Sequence, residues 1–131
     1  MKPTHHVLMV RPASFRANEQ TAPNNYYQKQ TVLTAAQSLM RAQSEFDSLV
    51  SCLLMNNIKV TAVQDTCTPD TPDALFPNNW FALLGTGQLV LFPMLAENRS
   101  AERSNRIFEA LSKEGYVVTQ TVDYSEYEKK Q

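Results

Sequence analysis

A chain of 131 residues with 43% hydrophobic and 19% charged side chains carries enough apolar material for one domain, spanning residues 1–131, and too little for two. Its formal net charge of -1 offers no overall attraction to nucleic acid or to an anionic membrane surface, so both are set aside as partners. No apolar run approaches the roughly 20 residues of a membrane span, and residues 7–10 are too few for a signal-peptide core, which makes the expected setting cytoplasmic.

In chain order, residues 1–4 are expected to fray. Residues 5–10 read as a short strand, apolar enough to be covered on both faces, which Arg11-Pro12 ends. Residues 13–30 show neither helical nor strand period and are rich in Asn, Gln, Pro and Tyr. A loop of that length in a compact domain is usually functional or disordered. The Asn24-Asn25-Tyr26-Tyr27 cluster, with aromatic bodies and amide tips, reads as its ordered, contact-making part.

Residues 34–56 carry Leu39, Met40, Phe46, Leu49, Val50, Leu53 and Leu54 at spacings of three, four and seven, the pattern of an amphipathic helix. Thr34 with Gln37 supplies a capping box, and Asn56-Asn57 a stop, because Asn tolerates the left-handed conformation. Phe46 and Leu53 are expected in the core, and Cys52, on the same side, as a small core residue.

Residues 58–63, β-branched at four positions, read as a second strand leading through Gln64-Asp65-Thr66 into a Thr/Pro/Asp loop that holds Cys67. Neither cysteine belongs to a C-x-x-C pair or has a histidine near it in sequence, so no metal ligand and no cofactor is expected. A nucleophilic Cys67 needs a base to form its thiolate, and the only histidines, His5 and His6, lie at the N-terminus.

Residues 71–81, Thr-Pro-Asp-Ala-Leu-Phe-Pro-Asn-Asn-Trp-Phe, set two prolines, a carboxylate and two carboxamides among large apolar side chains. A buried amide without a partner costs about 1–3 kcal/mol. Asn78 and Asn79 therefore either close a Pro-Asn turn or face something polar that binds there.

Residues 75–84 and 89–95 read as two strands joined in a hairpin at Gly85-Thr86-Gly87. Asn98 or Ser100 is the expected cap of a helix over residues 101–114, with Ile107, Phe108 and Leu111 inward and Gly115 as its stop. Residues 116–122 form the last expected strand and residues 123–131 a charged tail. Strands alternating with helices argue for a mixed α/β layer architecture.

Five stretches occur in a telling order: Val7 to Pro12, Asn18 to Tyr27, Gln64 to Thr66, the 71–81 segment, and Phe92 to Arg99. Together they resemble the guanidino-group-modifying (pentein) superfamily, which contains arginine deiminases, dimethylarginine hydrolases and amidinotransferases. Within it the likeness is to the arginine-deiminase-related, citrulline-hydrolase-like amidinotransferase branch. The resemblance implies a partial α/β-propeller of about two blades of mixed strands with two covering helices. It also implies an N-terminal portion of a longer protein, because relatives carry a second carboxylate, the catalytic His and the catalytic Cys beyond a segment like residues 122–128.

The function implied is hydrolysis of, or amidino transfer from, the C–N bond of an arginine- or citrulline-like amino acid, with this chain inactive alone and no catalytic residue assigned within it. Asp73, Phe76, Asn79 and Arg99 are the expected substrate-binding residues. Many relatives end a Phe-Thr-Arg-Asp stretch where this chain has Phe76-Pro-Asn-Asn79. Asn79 accepts one hydrogen bond but cannot neutralise a cation, which favours a neutral ureido group over a guanidinium. Asp73 restores the charge if its side chain turns into the cleft, and otherwise is a loop carboxylate. Arg99, with Arg103 as second choice, resembles the arginine that holds the substrate α-carboxylate; the alternative is a solvated helix-end residue. Arg11 is expected to pair with a carbonyl or carboxylate beneath the loop. Two further expectations complete the reading: homo-oligomerisation through an exposed sheet edge, and, as the rival function, a non-catalytic binding module of the same fold.

Overall fold

The computed structural model describes residues 5–29 and 31–130, the side chains of residues 129 and 130 excepted. The expected fraying of residues 1–4 lies outside this range, as do Gln30 of the long loop and Gln131 of the tail. Strand β1 (His6–Arg11) pairs in parallel with β2 (Lys59–Gln64), with Val10 opposite Val63. Between them runs helix α1 (Ala35–Met55), the crossover that a parallel pair requires. A second sheet contains β3 (Phe81–Leu83), β4 (Gln88–Leu91) and β5 (Gln120–Asp123); β3 and β4 are antiparallel, and β4 and β5 parallel. Short helix α2 (Glu97–Ser100) and helix α3 (Asn105–Lys113) lie between β4 and β5. The architecture is mixed α/β, as expected.

The ends of α1 follow the sequence closely. Thr34 Oγ1 accepts from the Gln37 amide at 3.2 Å while Gln37 Oε1 accepts from the Thr34 amide at 2.9 Å, a complete capping box. At the other end Asn57 is left-handed at φ 58°, and the Ile58 amide reaches back to Leu53 O at 3.0 Å. The apolar face is less covered than its pattern implies. Phe46 is buried and Leu53 half-buried, but Met40, Leu49 and Leu54 are exposed, and Cys52 is exposed rather than a core residue. α1 packs on β2 of a two-stranded sheet, and so narrow a sheet buries only a narrow stripe of helix. For the same reason β1 is half-buried along most of its length, with only Val10 fully covered, instead of being enclosed on both faces.

The core joins the two sheets. Val10 from β1, Trp80, Phe81, Leu89, and Ile107 and Leu111 from α3 form one cluster with Ala74. Trp80 has no exposed surface and meets Phe108 edge-on at 5.9 Å between ring centroids, with Phe81 4.6 Å away.

Several boundaries differ from expectation. The strand expected over residues 75–84 is only β3, because Pro77 cannot donate to a ladder and Pro77–Asn79 instead form a 3-10 turn. Its partner is likewise shorter, ending at Leu91. The second helix starts at Asn105 rather than at residue 101: neither Asn98 nor Ser100 caps it, and Ser104 caps α3 by accepting from the Arg106 amide at 3.3 Å. The last strand starts at Gln120, not at residue 116, after a segment that leaves Tyr116 and Val117 exposed. The hairpin at Gly85-Thr86-Gly87 is present, with Gly87 at φ +80° and its amide on Leu84 O at 2.9 Å. A Cβ at Gly87 would lie 2.9 Å from Val117 O, so the approach of this turn to the chain before β5 requires glycine. α3 stops at Gly115, φ +85°, with the Tyr116 amide on Leu111 O at 3.0 Å.

Candidate functional site

The 71–81 segment folds as successive backbone turns: Ala74 N to Thr71 O at 3.1 Å, Phe76 N to Asp73 O at 2.9 Å, and Asn79 N to Phe76 O at 3.1 Å. Thr71, Pro72, Asp73 and Ala74 are all buried, while Phe76, Asn78 and Asn79 are exposed. The apolar anchor of Trp80 holds the turn against the core and leaves its other side to solvent.

Asp73 points into the long loop. Its Oδ2 accepts from Asn18 Nδ2 at 2.7 Å and from Thr21 Oγ1 at 3.4 Å. Asn18 is itself fully buried. Its amide Oδ1 accepts from Gln20 N and Asn98 Nδ2, its Nδ2 also reaches Asn98 Oδ1 at 3.2 Å, and Gln28 closes the loop onto its backbone. All the donors and acceptors of this carboxamide are thereby used, which is what allows so polar a group to be enclosed. The contact-making part of the long loop is therefore Asn18 to Thr21 with Gln28. Tyr26 and Tyr27 are exposed and meet each other edge-on, contrary to the expectation for that cluster.

Arg99 is buried rather than solvated. Its guanidinium grips Glu102 through Nε–Oε1 at 2.6 Å and Nη2–Oε2 at 3.1 Å, one turn along the chain. The opposite edge donates to Asn79 Oδ1 from Nη1 and Nη2, each at 3.2 Å, and Nη2 also reaches Phe76 O at 3.3 Å. Phe76, Asn79 and Arg99 are thus one assembly. Asp73 stands apart from it, linked through Asn18 and Asn98, the residue before Arg99. Arg103 is committed elsewhere, to Phe92 O at 2.7 Å, Ser100 O and the Glu128 carboxylate. Arg11 pairs with a carboxylate, as expected, that of Asp47 on α1, at 2.8 and 2.9 Å.

Beside the assembly lies a cleft of about 310 Å³ between the 65–71 loop and the α2–α3 connection, lined by Asp65, Thr71, Glu102, Ser104 and Arg106 among others. Burial pushes the Glu102 carboxyl up to about 7; Arg99 opposes the rise, and the nearby carboxylates of Asp73 and Asp65 add to it. Burial also raises Asp65, against hydrogen bonds from the Thr66 and Ala13 backbone and the Thr71 hydroxyl. Among the described residues no group of three His, Cys, Asp or Glu is placed to hold a metal ion, and no helix is long and apolar enough to cross a membrane.

His6 Nε2 meets Thr61 Oγ1 at 2.7 Å and its Nδ1 the Tyr116 hydroxyl at 3.3 Å. Cys67 Sγ meets the Ala13 carbonyl at 3.7 Å. Sequence reasoning missed Asn18, Asn98 and Glu102. The three-residue spacing of Arg99 and Glu102 was a readable signal; the 55 positions between Asn18 and Asp73 gave none.

Searches of curated proteins and of solved structures return no match. A family model described as N,N dimethylarginine dimethylhydrolase, eukaryotic, matches residues 11–131, which takes in the long loop, the 71–81 turns and Arg99. The chain belongs to this dimethylarginine dimethylhydrolase family.

Proposed function

We propose that the chain forms one wall of a site for a small guanidino or ureido amino acid, in a protein that hydrolyses the C–N bond of arginine derivatives. The family match over residues 11–131 carries this reading. Phe76 offers an exposed ring for the aliphatic stem of such a ligand, and Asn79 and Arg99 meet beside it. Asp73 supplies negative charge behind the turn, held by Asn18. Two strand-and-helix units, β1-α1-β2 and β3-β4-α3-β5, suit blades of an α/β-propeller. Hydrolysis is preferred to amidino transfer on the family's name alone.

Calorimetric titration with L-citrulline, L-arginine and NG,NG-dimethyl-L-arginine tests the reading. At least one should bind, and Phe76→Ala should weaken it about tenfold, the loss expected for one well-packed aromatic contact. Absence of binding by all three would sink it. A second reading, a binding module without turnover, is favoured by the Cys67 thiol, whose Sγ meets the backbone carbonyl of Ala13. It expects ligand binding with no release of citrulline, amine or ammonia, and no change in that result in Cys67→Ser.

A further inference from the structure

The pair Arg99 and Asn79 carries a consequence for which atoms of a ligand can be recognised. Both hydrogen bonds between them end on Asn79 Oδ1. A carboxamide turned the other way would set its NH2 against two guanidinium donors, a clash that fixes the orientation without ambiguity. Since Arg99 is buried and anchored by Glu102 and by Phe76 O, it cannot retreat to allow the flip. Asn79 is exposed, and its Nδ2 has no partner among the described residues. What the residue presents outward is therefore a donor, not the acceptor that its type alone would allow.

We propose that Arg99 is a positioning residue that locks the Asn79 carboxamide, and that Asn79 Nδ2 is a specificity-determining donor to an oxygen atom of the ligand. This rests on the function proposed above. A guanidinium has donors only and gains nothing from a second donor facing it. A ureido oxygen or a carboxylate oxygen accepts the bond. Arg99 is itself a poor carboxylate clamp, because Nε, one Nη1 hydrogen and both Nη2 hydrogens are engaged inside the protein and only a single Nη1 hydrogen is left. Bidentate capture of a substrate carboxylate would require breaking the Asn79 or the Glu102 contact.

The test follows the Asn79 side-chain NH2 signals of the uniformly 15N-labelled, unmodified chain during titration with L-citrulline, L-arginine and agmatine. Agmatine carries a guanidinium and an ammonium but no oxygen, and so only donors. Citrulline is expected to move the Asn79 NH2 signals, and agmatine to leave them in place and to bind about tenfold or more weakly, the value of one hydrogen bond. L-Arginine separates the two oxygen sources: movement assigns the α-carboxylate, and silence the ureido oxygen, both in support. Movement by agmatine equal to that by citrulline overturns the proposal, as does citrulline binding that leaves Asn79 still. Binding by none of the three overturns the proposed function and this inference with it. Arg99→Lys retains a donor against Oδ1 and should keep the citrulline response. Arg99→Met combined with Glu102→Gln, which strands no buried charge, should lose about tenfold in affinity; unchanged affinity in that folded double variant argues against the positioning role.

Discussion

Asn18 donates its carboxamide nitrogen to Asp73 Oδ2 at 2.7 Å, joining two buried residues 55 positions apart and fixing the long loop to the turn segment. Asn18→Ala strips a buried carboxylate of its shortest hydrogen bond. It should cost about 2–3 kcal/mol, the range for a bond to a charged group whose partner stays enclosed. Urea denaturation followed by Trp80 fluorescence measures it. A loss below about 0.5 kcal/mol would show that the loop reseals around Asp73 without Asn18.

Glu102 sets a pH dependence of definite sign. Its folded pKa, about 7, lies above the ordinary glutamate value of 4.5, so the native state holds the proton more tightly than the unfolded chain. Below about pH 4.5 the group is protonated in both states and contributes no slope; stability declines from there up to about pH 7 and then levels off. Asp47, Asp70, Glu114 and Glu128, whose folded values are lowered, act in the opposite sense: their contribution is present above the unfolded carboxylate range and is lost as pH falls. Glu102→Gln should therefore flatten the stability profile between pH 5 and 7 while leaving the acid limb. An unchanged slope in that window counts against a raised Glu102.

Trp80 is the fully buried centre of the aromatic cluster. Trp80→Ala should cost about 3–5 kcal/mol through lost contacts and a cavity. Its indole Nε1 is buried without a hydrogen-bond partner among the described residues, so Trp80→Phe removes an unsatisfied donor along with some volume. The Phe variant should lose less than half as much as the Ala variant in thermal or urea unfolding. Equal losses would mean that the indole nitrogen has a partner in solution.

The two glycines of the hairpin should behave differently. Gly87→Ala puts a methyl group 2.9 Å from Val117 O at a φ of +80° and should destabilise by about 1–3 kcal/mol. Gly85→Ala meets nothing within 4 Å and should stay within about 0.5 kcal/mol of the parent. A reversed order in parallel melts would place the tight turn at the wrong residue.

The sequence by itself determined what depends on neighbours in the chain. The Thr34–Gln37 capping box, the left-handed stops at Asn57 and Gly115, the hairpin and the inward face of α3 are local devices, each written within a few residues. The ordered stretches also pointed to the pentein superfamily, of which the dimethylarginine dimethylhydrolase family is a member. Tertiary structure alone decided how far each pattern is covered: α1 exposes Cys52 and Leu54 because burial depends on the width of the sheet beneath, which no helical period encodes. It alone decided the orientation of polar groups too. Asn79 is a donor rather than an acceptor because Arg99 takes its oxygen, and Asp73 faces Asn18 because a buried carboxylate must be met by donors from wherever the fold supplies them.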